Sequence, residues 1–230
     1  MNDPAIVTTT RTTTVVDPAG LIRLGILALP LGSALKLVGN LGTFNSVGYG
    51  IPAATEAATA AGPAFFIGEL IGSIVPVLLS VFGTFALFGY LAPHAGRRIL
   101  VAALACSAVG AGLTLAALGV INYAIPALAS AYQAGHPYAM VIADGFLTWP
   151  RGAVLYPAAL YPIGIILFCL ALWRATALSR IAIAMVAVSS VLIAIPFPLH
   201  SLRLGGGVVG LVAGVWVALA IRRDLNAAGR

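Results

Sequence analysis

"AFFIGELIGSIVPVLLSVFGTFALFGYL", residues 64–91, decides the fold. Its only charge is Glu69. An α-helix needs about 20 apolar residues to cross the roughly 30 Å hydrocarbon core of a bilayer. This run exceeds that length, so the spacing predicts a tilted membrane helix. Five more runs flank it: Leu21–Val38, Ile99–Ile121, Ala153–Leu172, Ile181–Ile195 and Leu204–Ile221. The fifth of the six is short and ends at Pro196 and Pro198.

Composition agrees. Of 230 residues, 61% are hydrophobic and 8% charged, against about 25% charged in a soluble domain. Nor does the chain show the short alternating segments of a transmembrane barrel. The class is therefore an all-α polytopic membrane protein with six transmembrane helices. The expected organisation is a disordered cytoplasmic tail over 1–20, a bundle over 21–222 and a short tail over 223–230. The Thr-rich N-terminus has no apolar core of the kind that a signal peptide needs.

Charge orients the bundle. Net charge is +6, from 11 Arg and a single Lys. These residues stand at the ends of apolar runs and leave no basic domain to carry nucleic acid. With the N-terminus inside, Arg11, Arg23, Arg97, Arg98, Arg174, Arg180, Arg222, Arg223 and Arg230 fall on the cytoplasmic side. Lys36, Arg151 and Arg203 fall outside. That bias follows the positive-inside rule and predicts both termini in the cytoplasm of a cell with the chain in its inner (plasma) membrane. The inner loops are short, while the outer loops, 39–63 and 122–152, are long. "PAATEAATAA", residues 52–61, reads as a short helix lying on the membrane. Residues 124–147, with breaks at Pro126 and at Gly135–Pro137, read as interfacial or re-entrant helices. The long outer loops are expected to form a lid.

Chemistry concentrates in the outer half. A charge inside a span costs roughly 2.5–3.5 kcal/mol on insertion scales and usually faces the bundle interior. Glu69 and Lys36 sit at similar depth in neighbouring antiparallel spans, so an ion pair is expected; a proton or substrate role for Glu69 stays open. Trp149 and Arg151 mark where the fourth span begins, at aromatic-belt depth. Tyr156–Pro157 and Tyr161–Pro162 follow, and each proline is expected to bend that helix. Glu69, Asn122, Tyr156, Tyr161 and the Trp149–Arg151 entrance are the expected lining of an outer pocket, against the alternative that the aromatics face lipid. Gly206, Gly210 and Gly214, four apart, predict a face on which two helices touch, within the chain or between two copies.

Other chemistries leave no mark. The sequence has no His-Glu-x-x-His, no Gly-x-Ser-x-Gly and no P-loop. His94, His136 and His200 lie at span ends or in loops, so no haem is expected. A grouping of His136, His200 and Asp144 would lack any ligand-spacing motif, so no metal or other cofactor is expected. Cys106 and Cys169 read as small packing residues.

"LYPAALYPIGIILFCLALWRATALSRIAIAMVAV", residues 155–188, joins a span carrying Pro162-x-Gly164 through a tight basic turn to the next span. With the order of long outer and short inner loops, this resembles a family of small six-helix bacterial membrane proteins of unknown function. The resemblance implies a fold and no activity. Two function classes follow from the residues. The first is a non-catalytic protein that binds lipid or a small amphiphile, or serves as accessory subunit of a membrane complex. The second is a small secondary transporter with Glu69 in proton coupling. The expected partners are membrane lipid, with other membrane subunits or a second copy as alternatives.

Overall fold

Proline and glycine set where the helices begin, widen and touch. The computed structural model describes residues 17–41, 52–147, 159–194 and 200–228, and among these it holds helices and no strand. The Asp17 carboxylate accepts the Ala19 N–H at 3.0 Å and Pro18 opens the helix, so α1 (Pro18–Gly25) starts three residues before the expected Leu21. Pro30 has no N–H to return to Ile26, and its ring crowds that carbonyl. The helix therefore breaks at Ile26–Leu27 and resumes as α2 (Ala28–Leu41).

The expected short helix is α3 (Ala53–Ala60). The stretch that opened the sequence reading forms α4 (Pro63–Glu69), a π-turn at Leu70–Ile74 and α5 (Val75–Leu91), continuous over 29 residues. Next come α6 (Arg97–Gly119), a second π-turn at Val120–Ala124 and α7 (Ile125–Gln133), continuous over 37 residues. Pro126 was expected to break the chain and does not. The Ile125 N–H reaches back five residues to the Val120 carbonyl, as the Val75 N–H does to Leu70 before Pro76. This wider turn moves upstream carbonyls off the proline ring, and the helix continues. Residues 122–133 thus extend the third span rather than begin an outer loop. The turn at the end of α7 comes at Gly135, whose φ of 98° suits glycine. It leads into α8 (Tyr138–Leu147).

The remaining helices are α9 (Leu160–Ala175), α10 (Arg180–Ala194) and α11 (His200–Ala228). Pro162 does not bend α9: it occupies the first turn, where its absent N–H would have had no helical partner. Pro157 lies outside the described residues. Positions 223–228, expected as tail, are helical. Four helical segments, Pro18–Gly39, Pro63–Leu91, Arg97–Gln133 and Leu204–Ala227, are long and apolar enough to cross a membrane. Helices α9 and α10 are apolar but shorter, at 16 and 15 residues.

Packing follows chain order and closes on itself. Helix α2 packs on α5, α5 on α6, α6 on α9, α9 on α10, α10 on α11, and α11 returns to α2. The main core lies toward the end bearing Arg97, Arg174 and Arg223. Phe168, Leu172, Leu91, Leu100, Ile183 and Ile221 are fully buried there. A second, separate core joins Ala57 and Ala60 of α3, Phe65 of α4, Ile125 and Ala129 of α7, and Met140 and Ala143 of α8. This cap is built from described parts of the two stretches, 39–63 and 122–152, that were expected to form a lid.

Candidate functional site

The two π-turns organise the end of the bundle that carries the cap. Where they sit, Gly39 of α2 meets Gly72 backbone to backbone. That contact draws α2 against the first π-turn, and the Lys36 ammonium donates to the Ser73 hydroxyl at 3.1 Å. Where an ion pair with Glu69 was expected, the hydrogen bond found joins Lys36 to a hydroxyl four residues further along. Glu69 is half-buried and ends α4 immediately before the widened turn. Phe66, one turn earlier, packs edge-on against Tyr123 with ring centres 5.7 Å apart. The second π-turn is thereby held beside α4.

Asn122 lies in that second turn and is 1% exposed. Its Nδ2 donates to the Leu118 carbonyl at 3.2 Å, while Oδ1 is buried with no donor. A buried acceptor left unsatisfied costs roughly 1–3 kcal/mol. Tyr161 sits elsewhere. Its backbone rests on Gly110, and its side chain packs against the main core. Lys36, Ser73, Glu69 and Asn122 therefore mark one zone, and Tyr161 belongs to the main core. Trp149, Arg151 and Tyr156 lie outside the described residues.

The glycine stripe is used within the chain. A Cβ at Gly206 would meet Leu192 of α10 at 2.8 Å; one at Gly210 would meet Ser189 and Ser33 within 3.3 Å; one at Gly214 would meet Pro30 at 3.2 Å. Helix α11 is thus seated between α10 and α2.

Sequence reading passed over several residues. Glu56, placed in an outer loop, is 3% exposed within the cap. Tyr90 and Asp224, which had been given no role, meet at the arginine-bearing end, where the phenol donates to Asp224 Oδ2 at 2.7 Å. The His94 ring lies 5.6 Å from that of Tyr90, and its Nδ1 is 3.0 Å from the Tyr90 carbonyl. Together with Thr176, Leu178 and Arg223, these three residues line a cleft of about 550 Å³. The Arg23 guanidinium donates to the Leu225 carbonyl at 3.2 Å and ties α1 to α11 beside it. The Arg180 guanidinium stacks 5.5 Å over Trp173. Among the described residues, no three His, Cys, Asp or Glu side chains converge as metal ligands would.

No family model matches the chain, and neither a curated protein nor a solved structure matches it.

Proposed function

We propose that the chain crosses the plasma membrane six times, with both termini cytoplasmic, and acts as a non-catalytic binder of a membrane amphiphile. The closed ring supports six crossings: α9 and α10 fill the places between α6 and α11, and their neighbours are long enough to span. At 1.5 Å per residue they measure roughly 24 and 22 Å, which local bilayer thinning accommodates. The arginines at the ends of α5–α6, α9–α10 and α11 support this orientation. Cysteine placed at Thr55 should label from outside intact cells, and cysteine at Ala95 should not, in a background lacking Cys106 and Cys169. The opposite pattern reverses the orientation.

The observation that carries the binding reading is the donorless Oδ1 of buried Asn122. It lies in a widened turn beneath a helical cap and beside the turn that follows Glu69. A ligand hydroxyl or amide N–H would satisfy that oxygen, and the tail of an amphiphile would lie between helices. Native mass spectrometry of the purified protein should show a bound amphiphile that is lost in Asn122→Leu. An unchanged set of bound molecules in that variant removes the reading. If nothing binds, Asn122→Leu should instead raise thermal stability, since replacing a buried unsatisfied group with an apolar one removes its burial cost.

One observation favours a second reading, transport coupled to protons. Glu69 stands immediately before the π-turn of a continuous helix, and such turns are frequent at functional sites. Proton uptake into proteoliposomes that disappears in Glu69→Gln would support it. Equal uptake in both proteins would end it.

A further inference from the structure

The cleft at the arginine-bearing end holds opposite charges that do not pair with each other. Asp224 follows Arg222 and Arg223 in α11, and all three are exposed. Adjacent helical residues point about 100° apart and do not face one another. Among the described residues Asp224 forms no ion pair, and its partner is the neutral phenol of Tyr90. A carboxylate has about four lone-pair sites, so one bond from Tyr90 holds it in place and leaves room for a cationic donor. Nearby, the His94 Nδ1 faces a carbonyl and so carries the proton. Its Nε2 is left for a ligand, and Arg223 lines the same cleft. The walls between these groups are apolar, from Leu178 and the alanines of α9–α10 and α11.

We propose that this cleft binds the headgroup of an aminophospholipid from the cytoplasmic leaflet. The primary ammonium donates to Asp224, with His94 Nε2 as a second acceptor, and the phosphodiester is held by Arg223. The chemistry selects among headgroups. A choline headgroup has no N–H to donate to Asp224. An anionic glycerol headgroup brings no cation to that carboxylate. The cleft volume, about 550 Å³, is within the 300–1,000 Å³ range of small-molecule sites. The proposal uses the membrane orientation given above, and it is independent of any ligand at Asn122.

The test is lipid retention. The full chain is placed in nanodiscs of phosphatidylethanolamine, phosphatidylcholine or phosphatidylglycerol and released for native mass spectrometry. Phosphatidylethanolamine should be retained over the other two, and Asp224→Asn should cut that preference roughly tenfold, the effect of losing one charge-assisted hydrogen bond. An amide oxygen still accepts from Tyr90, so thermal unfolding of this variant should match the parent. If it does not fold, Arg223→Gln at an exposed position takes its place, with the same tenfold loss of affinity expected across phospholipids. Equal retention of all three lipids, or an unchanged preference in the variant, overturns the proposal alone. Failure of the chain to enter nanodiscs of any composition overturns the membrane reading and this site with it. Saturation by soluble glycerophosphoethanolamine as readily as by the lipid overturns the membrane source of the ligand.

Discussion

The ring and the cap are both apolar assemblies of helices, yet they hold together by different means. In the ring, large side chains such as Phe168, Leu172 and Ile221 fill the space between helices. Backbones also touch directly: Gly110 lies against the Tyr161 backbone, and Gly164 against Ser107. In the cap, four of the seven core residues are alanines, and only Phe65, Ile125 and Met140 are large. Each alanine buries little area, so the cap gains less on assembly. Its attachment is through chain continuity, because α4 and α7 run on into the ring through the two π-turns. Packing inside a membrane depends on close contact rather than on escape from water. The comparison teaches that the ring derives its strength from backbone proximity, while the cap keeps its place by being an extension of two ring helices.

The largest effect expected is from Gly110→Leu. A side chain there collides with the backbone of Tyr161 and forces α6 and α9 apart, so folded protein should be lost from size-exclusion profiles in detergent. Gly112→Leu, two residues away with nothing within 4 Å, should behave as the parent. Equal tolerance at both positions would break the distinction between ring and cap. Phe168→Ala comes next, since it opens a cavity among fully buried neighbours. It should destabilise by about 3–5 kcal/mol, read as a fall in the midpoint of thermal unfolding. The smallest effect belongs to Met140→Ala in the cap. It should cost about 2 kcal/mol locally and speed hydrogen exchange in α3, α7 and α8 while leaving α9 and α11 protected. If α9 exchanges faster as well, the two cores are one cooperative unit.

The membrane class and the helices were legible because both rest on composition and on where charge interrupts apolar runs. The Gly206–Gly210–Gly214 face was legible as well, since small residues four apart admit few other uses. The candidate site was not. Lys36 and Glu69 match in depth, but depth does not say which way a side chain turns, and a one-residue widening at Leu70–Ile74 brings Ser73 to the lysine. That widening had a signal. "LIGSIVPVLLS" (70–80) and "VINYAIPALAS" (120–130) share the spacing of their isoleucine, proline, leucine and serine at an offset of 50. In both, the serine hydroxyl donates to the proline carbonyl, at 2.8 and 2.9 Å. Tyr90 and Asp224 were invisible for a different reason: they are 134 positions apart, and only the return of α11 to the ring's end joins them.

A π-turn also acts as an angular offset. It adds one residue to a helix without adding the corresponding rotation, so everything beyond it is rotated by about 100° relative to an unbroken α-helix. In the third span this phase step brings Ala129, 19 positions further on, back to the face that Gly110 presents: below it Gly110 meets α9, and above it Ala129 meets the alanines of α3. Deleting Ile121 alone would remove no contact of the ring beneath it. It would instead re-aim the whole of α7 and turn Ile125 and Ala129 away from the cap core they now fill.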